Sequence, residues 1–362
     1  MGKVGKLKVK LDKPFYTPGD TIRGTVFLEA KEEIDIDKIY VKIKGKEKVE
    51  WEELWYETIF HEDQEPTKKE HVDEYDEKES FFKKKVVILP EAEDETTLGP
   101  GKYAFPFELE LPERGKKGGK LPGSFAIKQG HQYGWYGVRG QARKLKAKIE
   151  YSMKAVVDLD DSKDLEYKTD ITIFPERPEV IATPSDTRDA SVMFCCCINR
   201  GDLTMSATID KNVYAPGETA HAILKVDNRS ALEVTAMVEL NRILRLKADG
   251  HKITEKQEYH LGRFDTIAPG EEKEVRMKFD IPNMLPSTDG RGVDCVYVLD
   301  VVSELQCAPD IELHFPINVF CAPILPETYV EDLGDVSEYA IAGTCRVEDM
   351  PVKPGYEAPA AA

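Results

Sequence analysis

Three consecutive cysteines, Cys195, Cys196 and Cys197, are the densest group of reactive side chains in this sequence. Thiols in such a run can be lipidated, can be oxidised, or can pack as small apolar side chains. No CxxC or Cys/His spacing completes a zinc set around them, and the other four cysteines are isolated. The sequence therefore predicts neither a metal site nor a disulfide framework, and it leaves lipidation, redox chemistry and simple packing open at this run.

Patterns that would support catalysis are missing from the sequence. His61-Glu62 is not followed by the second histidine of a zinc protease, and Ser124 lacks the flanking pattern of a nucleophile elbow. The glycines within 130–140 alternate with aromatic residues and do not stand between a strand and a helix, so they do not form a phosphate-binding loop. We predict a protein that is not an enzyme, has no catalytic residues and needs no cofactor.

A row of lysines near the start of the chain offers binding chemistry instead. Lys6, Lys8 and Lys10 alternate with Leu7 and Val9, and this alternation is typical of a strand with one apolar face. The three ammonium groups would then line the opposite face. Two interpretations fit the row: a solvated outer surface, or a site for phosphate and other anions.

Composition and charge exclude some classes of function. The formal net charge is -17 over 362 residues, and such a surface repels a phosphate backbone, so no nucleic-acid partner is expected. No apolar stretch reaches the ~20 residues that cross a bilayer, and the first residues lack the apolar core of a secretory signal. A cytoplasmic protein is expected. Gly2 leaves myristoylation open, although Lys6 stands where that motif needs Ser or Thr.

One phrase occurs twice in the chain, at residues 12–21 and again at 210–219. Each copy places Pro-Gly in a turn, because proline presets φ and glycine accepts positive φ, and an alternating apolar segment follows. Matching blocks follow in the same order, such as 151–157 and 297–302. The chain therefore contains two homologous domains.

The elements that carry these residues are predicted to be strands. Short alternating segments separated by Gly and Pro turns indicate an all-β protein with two tandem immunoglobulin-like β-sandwiches and little helix. The predicted boundaries are 1–178 for the first domain, 179–198 for a linker with the cysteine run, and 199–322 for the second domain. The remaining 323–362 form an acidic, flexible tail.

Two segments of the first domain are interpreted as loops. Residues 61–80 are strongly acidic and poor in apolar side chains, which predicts an extended loop between strands. Residues 126–148 interleave glycines with exposed aromatics, which predicts either a partner-binding insertion or a lid on the sheet.

Several motifs occur in the order of a known family. Residues 98–112 combine a glycine-containing turn with Phe105-Pro106-Phe107 and a closing Leu-Pro, and 194–207 form a Cys-rich entry into the second domain. Together with the two Tyr-x-Pro-Gly turns and 285–288, these motifs resemble the α-arrestins, the arrestin-domain-containing proteins. The resemblance covers about residues 7–321.

The resemblance implies an arrestin fold of two seven-stranded sandwiches and an adaptor role without catalysis. Family members select membrane-protein cargo, such as receptors or transporters, for endocytosis and sorting at the plasma membrane or endosomes. They usually present Pro-Pro-x-Tyr motifs to WW-domain ubiquitin ligases, because an extended proline segment loses little entropy in an aromatic groove. Peripheral association with membranes is therefore expected.

The tail departs from the family pattern. Pro354 and Tyr356 lie in a motif that is one proline short, so they are candidate contacts for a degenerate WW interaction. Lys6, Lys8 and Lys10 lie on the strand that carries phosphate-sensing lysines in receptor-binding arrestins. A retromer-like or coat-like sorting scaffold and a phospho-receptor-binding arrestin therefore stay open as alternatives. An adhesion module outside the cell is not favoured, because the sequence shows neither a signal peptide nor paired cysteines.

Overall fold

The structure is a computed structural model of the chain, and the description covers the following set of residues. That set is 4–61, 64–90, 96–115, 119–129, 142–160, 162–194, 198–306, 308–321 and 340–341.

All the regular secondary structure within these ranges is β-strand, as the alternation predicted. The strands of the first half are β1 (Gly5–Leu11), β2 (Phe15–Tyr16), β3 (Thr21–Ala30), β4 (Ile34–His61), β5 (Gln64–Leu89), β6 (Thr96–Leu98), β7 (Gly101–Glu110), β8 (Phe125–Gln129), β9 (Ala142–Leu159) and β10 (Leu165–Ile173). Those of the second half are β11 (Ser185–Phe194), β12 (Ile198–Ile209), β13 (Val213–Tyr214), β14 (Thr219–Asn228), β15 (Val234–Ala248), β16 (His251–Ile267), β17 (Glu272–Asp280), β18 (Thr288–Asp289), β19 (Val293–Leu305) and β20 (Ile311–Val319), followed by β21 (Ala340–Ile341).

Each half of the chain folds into two sheets that pack face to face. In the first domain the smaller sheet has the order β1-β3-β7-β21, and the larger sheet has the order β2-β10-β9-β4-β5 with β6 beside β4 and β8 beside β9. In the second domain the sheets are β11-β12-β14-β17 and β13-β20-β19-β15-β16, with β18 beside β19. The larger sheets follow the same path, so the predicted duplication is confirmed at the level of topology.

The core of each sandwich is built from the inward positions of these strands. Inward side chains alternate with outward polar ones, which is the pattern expected when one face of a sheet is buried. The equivalent strands β3 and β14 bury the face that the sequence predicted, through Ile22, Val26, Leu28, Ala220, Leu224 and Val226.

The repeated turn is the same in both domains. Gly19 has φ 89° and Gly217 has φ 77°, in the region that the Pro-Gly pattern predicted. A tyrosine just before each turn is buried, and its hydroxyl donates a hydrogen bond to the aspartate four residues earlier. In the second copy the Tyr214 Oη to Asp210 Oδ1 distance is 2.7 Å.

Within the acidic segment at 61–80, residue 61 and residues 64–80 are strand, so the prediction of an extended loop was wrong. Most of it belongs to β5, which pairs with β4 from Ile39 to His61 in one long antiparallel hairpin. Side chains in this part of β5 still alternate between two faces, although most of them are charged. The partner strand forms hydrogen bonds with the backbone groups that a loop would expose to water. The low hydrophobicity of this segment therefore did not indicate a loop, because a two-stranded ribbon can form with little burial of apolar side chains.

Two other segments also differ from the predictions. The ends of the expected insertion at 126–148 belong to β8 and β9, and residues 130–141 lie outside the described residues. The expected linker contains β11, which pairs with β12 and forms an edge of the second domain. Cys195, Cys196 and Cys197 lie between these two strands and outside the described residues.

Candidate functional site

The outward face of the larger sheet in the first domain carries a line of lysines. Lys168 on β10 pairs with Lys154 on β9, Lys154 pairs with Lys42 on β4, and Lys42 pairs with Lys85 on β5. Lysine thus occupies one position on each of four neighbouring strands. Lys42 and Lys154 lie between buried neighbours in sequence, so these side chains point away from the core.

Further lysines extend this line along β4 and β5. Lys44 lies opposite Lys83, two residues from the first pair and on the same face. We define the lysine face by Lys42, Lys44, Lys46, Lys83, Lys85, Lys154 and Lys168.

Carboxylates neutralise this surface unevenly. Lys154 forms an ion pair of 2.6 Å with Glu166, and the Lys85 ammonium lies 3.8 Å from the ring centre of Tyr40. Glu150 lies directly opposite Lys46 and forms its ion pair with Lys148, at 2.5 Å. Within the described part of the chain, no carboxylate forms an ion pair with Lys42, Lys44, Lys46, Lys83 or Lys168.

The uncompensated charges affect one another. Burial lowers the pKa of Lys42 below its ordinary value, and neighbouring lysines, first among them Lys83, lower it further. Burial also lowers the pKa of Lys46, with Lys44 as the strongest neighbouring cation, while Glu150 acts in the opposite direction. An anion placed on this face would relieve that repulsion and would accept hydrogen bonds from several ammonium groups.

Lys6, Lys8 and Lys10 form a separate row. They lie on β1 at the edge of the smaller sheet, opposite Glu29, Phe27 and Thr25 respectively. The Lys6 ammonium lies 3.7 Å from the Glu29 carboxylate, and both side chains are exposed. The structure therefore places this row on a different sheet from the lysine face, and an anion-binding role for it stays a prediction.

A buried carboxylate joins the two domains. Glu47 on β4 is 3% exposed, and it accepts hydrogen bonds from three successive backbone N–H groups of the second domain. The distances are 3.0 Å from Arg291, 3.0 Å from Gly292 and 2.7 Å from Val293. Burial raises the pKa of Glu47, and the three N–H groups act in the opposite direction.

The tip of the β15–β16 hairpin adds to this contact. Asp249 and Gly250 have positive φ, as in the two-residue Asp-Gly turns that match strand twist. The turn docks on β5, where the Asp76 N–H donates to Asp249 Oδ2 at 3.1 Å and the Asp249 N–H donates to Glu77 Oε2 at 3.2 Å. We call these contacts, with those of Glu47, the interdomain seam.

The tail contributes one described element. Backbone groups of Ala340 and Ile341 pair in parallel with Tyr103 and Ala104 of β7. Pro354 and Tyr356, the candidate WW contacts, lie outside the described residues.

Sequence reasoning missed both the lysine face and the seam. A signal for the first existed, because Lys42, Lys44 and Lys46 alternate along one strand face. Their partners on β5, β9 and β10 are far away in sequence and are united only by strand register. The seam gave no signal, since the partners of Glu47 are backbone groups that any residue supplies.

Comparisons with known proteins agree with this architecture. The family described as Arrestin (or S-antigen), N-terminal domain, matches residues 7–177, and Arrestin (or S-antigen), C-terminal domain, matches residues 199–324. Arrestin domain-containing protein A of Dictyostelium discoideum is 27% identical over 327 residues, which cover 89% of this chain and 52% of that protein. The chain thus spans about half the length of this relative.

Mammalian relatives match at lower identity. Arrestin domain-containing protein 4 of Mus musculus is 22% identical over 322 residues, covering 86% of this chain and 70% of that protein. The human protein of the same name is 22% identical over 338 residues, covering 86% of this chain and 69% of that protein.

Two tandem sandwiches with one sheet order, joined through a buried carboxylate, define a tandem arrestin-fold protein. With both family domains matched in order, the chain belongs to the arrestin family, whose members are generally non-catalytic adaptors. Among the residues described, no helix is long and apolar enough to cross a membrane.

Proposed function

We propose that this protein is a non-catalytic adaptor that holds acidic or phosphorylated segments of membrane-protein cargo on its lysine face. The single observation that supports this function is the line of Lys168, Lys154, Lys42 and Lys85 across four neighbouring strands. The family supplies the adaptor class. The lysine face indicates the chemistry of the cargo segments, which should be acidic or phosphorylated.

The geometry of the lysine face suits an extended peptide. Neighbouring strands lie about 4.8 Å apart, so four strands span roughly 14 Å, which is the length of about four extended residues. Carboxylate or phosphate groups on alternate residues of a peptide that crosses the strands are about 6.8 Å apart, so about three of them would lie over the four ammonium groups. A cytoplasmic segment of a receptor or transporter with clustered acidic or phosphorylated residues has this pattern.

The overall charge of the protein makes this site selective. The chain carries a net charge of -17, so long polyanions such as nucleic acids meet repulsion outside the lysine face. A short anionic segment can enter the local positive potential without covering the acidic surroundings. This argument favours peptide cargo over a nucleic-acid partner.

Binding of a fluorescent, multiply phosphorylated peptide to the full chain, followed by anisotropy, tests the proposal. The Lys42→Glu/Lys168→Glu double variant should bind at least about tenfold more weakly, because each reversal replaces attraction by repulsion. Lys252→Glu/Lys256→Glu is the matched control, since both lysines are exposed on a strand of the second domain. Binding should also weaken as salt rises.

Two results would contradict the proposal. One is equal peptide affinity in the lysine-face variant and in the control variant. The other is binding of the wild-type chain to anionic vesicles but not to acidic peptides, which would make the lysine face a membrane-contact surface.

The adaptor would pass its cargo to sorting machinery at the plasma membrane or endosomes. The tail carries the candidate contact to a WW-domain ubiquitin ligase at Pro354 and Tyr356. Capture of WW domains by the full chain, lost on Tyr356→Ala, would favour a ligase adaptor. Absence of capture would favour a retromer-like or coat-like scaffold that carries cargo without ubiquitination.

A further inference from the structure

The second domain carries a different set of side chains at the positions of the lysine line. His260 on β16 pairs with Glu239 on β15, Glu239 pairs with Asp300 on β19, and Asp300 pairs with His314 on β20. The four strands are the counterparts of β5, β4, β9 and β10 in sheet order. We call these four residues the histidine row.

The histidine row contains two sets of potential metal ligands. On each flanking strand a glutamate lies two residues before the histidine and therefore on the same face. Ligand atoms of Asp300, Glu312 and His314 all lie within 4.8 Å of one another. The same holds for Glu239, Glu258 and His260.

In each set the distance between the histidine Nε2 and the glutamate fits the size of a coordinated ion. Two ligand atoms of a tetrahedral zinc ion at about 2.1 Å stand about 3.4 Å apart. His314 Nε2 lies 3.8 Å from Glu312 Oε2, and His260 Nε2 lies 3.5 Å from Glu258 Oε1. The Nδ1 atoms make direct hydrogen bonds, at 2.7 Å from His314 to Asp300 and at 2.8 Å from His260 to Glu239, so these two carboxylates orient the imidazoles and leave Nε2 to face the glutamate.

A buried amide beside the histidine row points independently to a ligand. Asn241 on β15 is 3% exposed, and its Nδ2 lies 2.6 Å from Asp300 Oδ2. The Oδ1 atom of the same amide is buried without a hydrogen-bond partner. A buried acceptor normally has a partner, so the unsatisfied Oδ1 of an amide that contacts Asp300 requires a donor or a cation beside the histidine row.

The negative charge of the two sets favours binding of a divalent cation, because the two histidines alone cannot neutralise it. The two sets hold four carboxylates against two imidazoles. Even two protonated imidazoles would leave a formal charge of -2 on the two sets together, because four carboxylates stand against two histidines.

From this geometry we propose that the histidine row binds divalent transition-metal ions of the Zn²⁺ class, one in each set. At the more buried site His314 Nε2 and Glu312 would bind the ion, while Asp300 holds the imidazole through Nδ1. At the second site His260 Nε2 and Glu258 take the same roles, with Glu239 at Nδ1. Imidazole and carboxylate ligands together suit Zn²⁺ better than the all-oxygen shell that Ca²⁺ and Mg²⁺ require.

Isothermal titration of the full chain with Zn²⁺ at neutral pH tests the proposal. A background with Cys195, Cys196 and Cys197 replaced by serine removes the cysteine run as a competing site. We expect two ions per chain, one ion in His260→Gln or in His314→Gln, and loss of binding in the double variant. The control is His221→Gln, because His221 lies outside both sets on β14.

A second measurement needs no substitution. Nitrogen NMR shifts of the His260 and His314 rings should change on addition of Zn²⁺, while those of His221 stay constant. The proposal is overturned if Zn²⁺ leaves both ring shifts unchanged, or if the double variant binds as many ions as its parent. Either result would mean that the histidines only form ion pairs with their carboxylates.

Discussion

The two larger sheets share their strand order but carry opposite chemistry on their outward faces. Lys154 of the first domain and Asp300 of the second each lie three residues after an equivalent buried tyrosine, Tyr151 and Tyr297. The tyrosines retain the same role, since each hydroxyl donates to a backbone carbonyl, at 2.5 Å for Tyr151 and 2.7 Å for Tyr297. Inward positions are thus held by packing, whereas outward positions are free to acquire new binding chemistry.

The largest expected effect comes from exchanging the rows. A variant with Lys42→Glu, Lys85→His, Lys154→Asp and Lys168→His carries the histidine row on the first domain. Acidic-peptide affinity should fall at least about 100-fold, because four cations are lost and two become anions. Anisotropy with the phosphorylated peptide measures this loss.

The control for that variant removes two negative charges from the equivalent positions of the second domain. Replacing Glu239 and Asp300 by Gln and Asn should leave peptide affinity unchanged, since these residues lie on the other sheet. A peptide that binds the exchanged variant as tightly as the wild type would show that the lysine line is not the site.

Gly290→Ala should loosen the interdomain seam. A Cβ atom at this position would lie 2.4 Å from Glu47 Oε1, so the buried carboxylate must move away from its N–H partners. Overpacking of this kind costs about 1–3 kcal/mol of the free energy of unfolding. Urea denaturation measures it, and Gly99→Ala is the control because a Cβ there meets nothing within 4 Å. Equal stability of the two variants would argue against the seam.

Removal of the paired tyrosine hydroxyls should affect the two domains alike. Tyr151→Phe and Tyr297→Phe each leave a carbonyl, of Pro122 and Leu285, without its donor. We expect each substitution to lower the free energy of unfolding by about 1 kcal/mol. Thermal unfolding of the two variants checks this, and a large difference between them would break the equivalence of the inward positions.

Much of the fold was predictable from the sequence. The Pro-Gly turns and the alternating face of β3 follow from local rules of turn chemistry and period-two burial, and the repeated phrases predicted the duplicated domains. The β4–β5 hairpin was not, because most of β5 is charged, and its contacts with the aromatic residues of β4, Tyr75 on Trp51 and His71 on Trp55, depend on the register of the two strands. The histidine row was missed for a related reason: its residues lie on four strands, and only register brings them together.

The smallest expected effect is a pH dependence of the contribution that Glu47, in the interdomain seam, makes to the free energy of unfolding. Between the ordinary pKa of 4.5 and the raised pKa of folded Glu47, the folded chain holds more proton than the unfolded chain. This contribution to the free energy of unfolding therefore falls as pH rises through that window. The comparison of wild type with Glu47→Gln by urea denaturation at several pH values should isolate the slope.

Glu50 provides the contrast for this pH experiment. The side chains of Lys146 and Lys48 lower its pKa through hydrogen bonds, so its contribution is present above 4.5 and is lost as pH falls. Glu50→Gln should therefore change the slope with the opposite sign. Slopes of the same sign in the two variants would contradict the assignment of Glu47 as a buried carboxylate.

Proximity labelling in cells tests the central claim most directly. The full chain, its Lys42→Glu/Lys168→Glu variant and the Lys252→Glu/Lys256→Glu control would each carry the labelling enzyme. We predict that membrane proteins with acidic or phosphorylated cytoplasmic segments are enriched near the wild type and the control and are lost from the lysine-face variant. A set without membrane proteins, or the same set for all three chains, would contradict the account of an adaptor that holds cargo on its lysine face.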